Sequence, residues 1–490
     1  MLRRFLARFP WLPDVLTVVI LSAGTLWRYL HVFRWHDPRK YVYSDMQMYV
    51  DLSKRLAQPD HVLRMGDITH PPGMTVLLSW VYSTQPDFAR MLWIQFFVAA
   101  ALPLAVGALA WFTFGKSSGR WAAIATTVYF PFVDFAGYFL AENYLALFAT
   151  LSLVAYFGAL KFAEIVPAGP KRLAGLIGIG LVGGFVFSLA AVMKMVAMPA
   201  IGGFIILHFL FTHGVPRKLR GVVILAAAVG AIPLMWWQAD RCTTANEGKF
   251  CTGSNKAPSD FLLGHYGRIQ GITWKDPKKP GHVGFGSPAA YQHGYRDKPE
   301  VPFLITDSKQ NTDLAWKWIK KNKAHAFVLS LELVWDIFGG SLTWPAVATQ
   351  YWAPAQVYHY LFLGLLFFPT LVVLLDVARK RGMMGLLRSV ELAVFAPIFG
   401  VMLSVFVATG ETRYRIPWDA SFLVLGVEFF RRLRIPLREV TPADETKPAA
   451  EAAEKPAALA SAKEEPASEA DADEGEPAKD EKAKVDEEPS

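Results

Sequence analysis

Long apolar stretches separated by short basic connections set the pattern of the chain. The first covers residues 15–33, behind the basic start MLRRFLAR. Others cover residues 90–114, 121–139, 143–162, 173–192, 195–211, 222–238, 357–377, 390–408 and 418–430. Most approach about 20 residues, the length that crosses a bilayer core as a helix. The pattern predicts an all-α integral membrane fold with about ten transmembrane helices. The first run has the flavour of a signal peptide, but it is long and lacks a clear small-residue cleavage site, so it reads as a retained span. An apolar piece at 327–338 is too short to span and reads as an interfacial helix.

The connections orient the bundle. With the N terminus inside, residues 115–120, 163–172, 212–221 and 378–389 share the cytoplasmic side. They carry KSSGR, GPKR, VPRKLR and ARKRGMMGLLR, and RRLRIPLR follows the last run. This satisfies the positive-inside rule and places both termini in the cytoplasm. The outer side then receives a first loop at 34–89 with a helical region, a long late loop at 239–356, and a short turn at 409–417. Tight outer turns fall around Glu142 and Lys194.

Composition sharpens this picture. Of 490 residues, 53% are hydrophobic and only 19% charged, below the roughly one quarter usual in soluble chains. Residues 441–490 hold 16 acids and 6 lysines, a net of −10, so residues 1–440 carry +18. The tail is rich in Ala, Glu, Lys and Pro, cannot bury enough apolar surface to fold, and is expected to be disordered. An ordinary soluble enzyme, a disulfide-dense module and a disordered chain are excluded. Nucleic-acid binding is a poor reading of a basic chain whose charge marks inner loops.

Charges that break the orientation pattern are the candidates for chemistry. Asp45, in YVYSDMQMYVDLSKRLA, suits a general base or a first-turn helix acid; Tyr49 lies one turn on. His70, in DITHPPGMTVLL, either touches substrate or shapes a turn. Glu142, in GYFLAENYLALF, caps a span or binds substrate. Lys194, in VMKMVAMP, snorkels or holds a phosphate. Arg413 and Arg415, in GETRYRIPWD, suit phosphate oxygens. Cys242 and Cys251 allow one disulfide or two free thiols. No zinc-type cysteine or histidine spacing, phosphate-binding glycine loop or serine nucleophile elbow is present.

The order of these features resembles the GT-C superfamily of polytopic glycosyltransferases, which includes protein O-mannosyltransferases and bacterial aminoarabinose and mannosyl transferases. The resemblance rests on SDMQMYVDLSKRLA in the first loop, the following PPG, AENYLALF, VMKMVAMP and RYRIP, and spans roughly residues 10–435. It implies transfer of a sugar from a polyprenyl-phosphate donor to a lipid, glycan or protein acceptor, outside a bacterial inner membrane and in service of the cell envelope. By the same resemblance Asp45 is the catalytic base. Glu142 is an acceptor or donor contact, His70 falls beside the PPG motif, and Lys194, Arg413 and Arg415 hold the lipid phosphate. His70 and Tyr49, the latter by its spacing from Asp45, are counted with Glu142 as candidate acceptor or donor contacts. Many members place two adjacent acids in the first loop, whereas Ser44–Asp45–Met46 offers one. A lone carboxylate is a poor cation site, so no cofactor is expected and a divalent cation stays an open question. A transporter or flippase of a lipid-linked sugar is the alternative reading, and a membrane scaffold a weaker third.

Overall fold

A computed structural model describes residues 11–211, 215–254, 256–275, 282–286, 294–339, 345–346 and 349–434. The acidic segment 441–490 lies outside the described residues. Helices of eight residues or more are numbered in chain order: α1 (Leu12–Leu30), α2 (Asp45–Leu56), α3 (Pro72–Thr84), α4 (Ala89–Phe114), α5 (Lys116–Val128), α6 (Glu142–Ile165), α7 (Pro170–Met193), α8 (Ala197–Phe211), α9 (Arg217–Ala245), α10 (Ala257–His265), α11 (Ser308–Lys321), α12 (Lys323–Gly339), α13 (Trp352–Phe362), α14 (Phe368–Leu387), α15 (Val390–Val407) and α16 (Asp419–Arg434).

Among the described residues, seven helical runs are long and apolar enough to cross a membrane. They are α1 with its continuation to Lys40, α4, α6, α7, α9, the continuous run Trp352–Leu387, and α15. At 1.5 Å per residue the 24 residues of α6 reach about 36 Å, more than a hydrocarbon core. The chain is an integral multi-pass membrane protein. Three of the ten expected spans occur as shorter helices: α5, α8 and α16 have 13, 15 and 16 residues.

The interruption of α5 has a local cause. Tyr129 leaves the helix with extended backbone, and a new short helix, Phe130–Asp134, begins with Pro131 in its first turn. Pro131 has no N–H to donate to the carbonyl of Thr127. The buried guanidinium of Arg28, from α1, takes that place. Nη1 donates to Thr127 O at 2.9 Å, Nη2 to Thr126 O at 3.0 Å, and Nε to Ala99 O at 3.0 Å. A cation at the carbonyl end of α5 also suits the helix dipole.

The late loop contains some sheet, which the all-α expectation did not include. Strand β1 (Gly271–Lys275) pairs antiparallel with β2 (His282–Gly286) and parallel with β3 (Glu300–Val301), in the order β2-β1-β3. Ile272 and Trp274 are buried while Thr273 and Lys275 are half-buried, the two-residue period of a strand covered on one face. Trp274 and Val301 join Leu262 of α10 and Ala315 of α11 in one small core. Next along the chain, α12 (Lys323–Gly339) contains residues 327–338, the segment expected to be interfacial. Phe327, Leu331 and Trp335 are exposed on it at helical spacing, an apolar stripe suited to a membrane boundary.

Candidate functional site

The chain connectivity brings one end of several spans together. The start of α6, the end of α7, the start of α8 and the connections that follow α9 and α15 share that end. The basic connections 115–120, 163–172 and 378–389 lie at the opposite ends of their helices.

Asp45 is the first residue of α2. Ser44 before it takes a positive φ of 52°, a costly conformation outside glycine, and turns the chain into the helix. Met46, Tyr49 and Val50 bury the inner face of α2 and so fix where Asp45 stands. The HPPG segment works by close approach. Pro72 opens α3, where its missing N–H costs nothing. Gly73 then lies so near the end of α7 that a Cβ there would sit 2.7 Å from the carbonyl oxygen of Val192. This contact sets His70 beside the turn that carries Lys194.

Lys194 leaves α7 with extended backbone, and its Nζ donates to Glu142 Oε1 at 2.6 Å. Glu142, 1% exposed, opens α6. Arg413 donates from Nη1 to Asp45 Oδ2 at 2.8 Å, and its Nε meets Glu411 Oε1. The ring of Tyr414 lies between these pairs, 5.1 Å from Lys194 Nζ and 5.4 Å from Arg413 Cζ. Both cations therefore lie within cation–π range of one aromatic ring.

These groups border a cavity of roughly 160 Å³, lined among others by Asp45, Tyr49, His70, Lys194 and Arg413. Lys256 and Asp260 complete its polar wall. Burial pushes the Asp45 carboxyl up, but the Arg413 guanidinium and the Lys256 ammonium outweigh it and hold the acid well below the usual carboxylate range. Burial and the surrounding cations bring His70 down to about 3, so its imidazole is neutral. Burial raises Asp260 and Glu411 above their ordinary values, against the pull of Lys256 and Arg413 respectively. The result is a carboxylate kept ionised beside a guanidinium, a neutral imidazole and two ammonium groups, in a partly open cleft. Such a cleft suits an anionic group with hydroxyls around it.

Arg415 departs from the expectation. Its Nε donates to Asp419 Oδ1 at 2.8 Å, its guanidinium lies 3.4 Å from the Phe362 ring, and it does not line the cavity. Residues 412–415 form a helical turn, and positions two apart on a helix point to nearly opposite sides. Arg415 therefore ties this turn to α16, while Arg413 faces the cleft. Tyr129 completes the buried group through Asp419. Cys242 and Cys251 form a disulfide.

Sequence reasoning missed Lys256 and Asp260. A usable signal existed in SNKAPSDFLLGH, where a lysine and an acid stand one turn apart around a proline, just ahead of an apolar run. That is a helix start with both charges on one side. Among the described residues, no three or more His, Cys, Asp or Glu side chains gather as a metal-ion site.

No protein-family model matches the chain, and no curated protein matches it in sequence. Solved structures of the oligosaccharyltransferase of the archaeon Archaeoglobus fulgidus align loosely with it. The AglB complex with an inhibitory peptide and a dolichol-phosphate shows 12% identity and a TM-score of 0.46, over 87% of this chain and 53% of that one. The apo form shows 13% identity and a TM-score of 0.46, over 85% and 52%. The chain thus spans about half the length of these structures.

Proposed function

We propose that the protein is a membrane glycosyltransferase. It moves a sugar from a polyprenyl-phosphate donor to an acceptor hydroxyl at the outer membrane face, with inversion at the anomeric carbon. The observation that carries this reading is the gathering of Asp45, His70, Lys194 and Arg413, from four separate segments, around one cleft at one end of the bundle.

The leaving group is a lipid phosphate, already anionic, and needs electrostatic stabilisation more than a strong general acid. Arg413 and Lys194 supply it in a partly dry site, where such contacts act strongly. Asp45 takes the proton of the attacking hydroxyl. Its pairing with Arg413 makes it a weak base before a donor binds. A donor phosphate competes for the same guanidinium, so donor binding loosens the pair and strengthens the base. Glu142 acts at one remove by fixing Lys194. Tyr49 and the neutral imidazole of His70 border the space left for sugar or acceptor.

A second, apolar cavity of about 300 Å³ lies between α6, α7, α8 and α9, with Met198, one turn beyond Lys194, on its wall. It gives a prenyl chain a place to lie below a phosphate at Lys194. It also speaks against the transporter alternative, in which polar groups would line the mid-depth space. The test is transfer of label from a polyprenyl-phosphate hexose by the purified full-length chain, set beside Asp45→Asn and Arg413→Ala. The reading requires transfer by the wild type and its loss in both variants; undiminished transfer by Asp45→Asn removes the proposed base.

A further inference from the structure

Lys256 reaches the cleft from the N-cap of α10, where its carbonyl accepts the Asp260 N–H at 3.0 Å, but the connection that leads to it, residues 246–254, has neither helix nor strand. Three contacts replace that missing support. Cys242, in the last turn of α9 and 1% exposed, is disulfide-bonded to Cys251, with their Cα atoms 5.3 Å apart. The Cys251 N–H donates to Thr243 Oγ1 at 3.2 Å. Gly253 then presses against both neighbours: a Cβ there would lie 2.6 Å from Gln238 Nε2 and 2.7 Å from the sulfur of Met195, the residue after Lys194.

The disulfide also reaches the other wall of the cleft. Cys242 packs with Ile68 and Ala245, and Leu63, Met65 and Cys251 surround them. Ile68 is two residues from His70. One covalent link therefore underlies both the loop of Lys256 and the turn of His70.

We infer that Lys256 binds the phosphate of the lipid ligand and that the Cys242–Cys251 disulfide holds it in place, so that affinity for a prenyl phosphate depends on this pair being oxidised. The inference rests on the glycosyltransferase reading and adds a third phosphate contact to it. Lys194 and Arg413 stand in close ion pairs with Glu142 and Asp45. Lys256 comes from a third segment and is drawn toward Asp260 and Asp45 on the cleft wall. Ordering the irregular connection that ends at Lys256 costs backbone and side-chain entropy, and a cross-link removes part of that cost before the ligand arrives.

The experiment measures binding of geranylgeranyl phosphate to the full-length chain in lipid nanodiscs. Wild type and Lys256→Gln are each compared before and after dithiothreitol, which becomes its cyclic disulfide as Cys242 and Cys251 each gain a hydrogen. Lys249→Gln, on an exposed part of the same loop, is the control. Loss of one charge-assisted phosphate contact weakens binding about tenfold or more. The expected result is such a loss for Lys256→Gln, a comparable loss for reduced wild type that reverses on reoxidation, and little further loss when Lys256→Gln is reduced. Lys249→Gln binds as wild type. Inorganic phosphate binds far more weakly than the lipid; equal affinity removes the lipid from the inference. Normal binding by Lys256→Gln, or a full effect of reduction in that variant, overturns the inference and leaves the glycosyltransferase reading standing. Absence of binding by oxidised wild type overturns both.

Discussion

The Glu142–Lys194 pair gives a sharp test of the geometry, independent of the reaction. The two partners are unequally placed. Glu142 is 1% exposed, whereas the Lys194 side chain is 16% exposed and borders the cleft. Lys194→Met leaves a carboxylate buried with its partner gone, which costs about 3–5 kcal/mol where buried pairs are broken. Glu142→Gln leaves an ammonium that can turn toward the water of the cleft, so its cost is nearer that of one charged hydrogen bond, about 1.5–3 kcal/mol. The double variant, Lys194→Met with Glu142→Gln, removes both charges and regains much of the loss. Thermal unfolding of the full-length protein in nanodiscs, read by tryptophan fluorescence, orders the four proteins. Wild type should be the most stable, Glu142→Gln next, and Lys194→Met the least, with the double variant above Lys194→Met. If Lys194→Met melts with wild type, or if the double variant is no better than Lys194→Met, the pair does not carry the burden assigned to it.

Three further outcomes follow from separate parts of the structure. Arg415→Met breaks the buried pair with Asp419 and should cost about 3–5 kcal/mol of stability; a melting temperature equal to that of wild type contradicts the structural role given to Arg415. Gly73→Ala forces a Cβ against Val192 O and should cost about 1–3 kcal/mol along with transfer activity, so an unaffected melt shows that the HPPG contact is looser than described. His70, held near 3 in the fold against about 6.5 unfolded, takes up its proton far more readily once unfolded. Its neutral form thus costs nothing at pH 7, and acidification to pH 5 removes about 2 kcal/mol of stability. That loss should be smaller by this amount in His70→Asn, and parallel pH–stability curves for the two proteins refute it.

The legible part of the site consisted of charges that stand apart from the basic connections. Asp45 stood out as an acid at a helix start in the first loop, and Lys194 and Arg413 stood out because each interrupts or closely flanks an apolar run, where ionic groups are costly. Arg415 stood out for the same reason but serves the interior, because sequence alone does not say which side of a one-turn helix faces the cleft. Lys256 and Asp260 were hidden in a long polar loop, where charge is ordinary and only packing against α9 and Met195 brings it to the site. The sheet at 271–301 was hidden differently: its strands are short, rich in glycine, and paired across a loop whose register no local pattern announces. The break in α5 shows the same limit within a span. Pro131 signals an interruption, but the guanidinium that makes it tolerable comes from the first helix.

That guanidinium has a consequence for how the chain is made. Arg28 enters the bilayer with α1, yet the carbonyls of Thr126 and Thr127 are synthesised about a hundred residues later. Until then the first helix carries a cation with only Gly24 O of its own helix and, later, Ala99 O to meet. Biogenesis therefore runs through a stage in which α1 is held at the membrane by something other than its final neighbours. Nascent chains halted after residue 115 should be stripped from membranes by alkali more readily than chains halted after residue 140. Equal retention would mean that the first helix is secure alone, and that Arg28 serves α5 without depending on it.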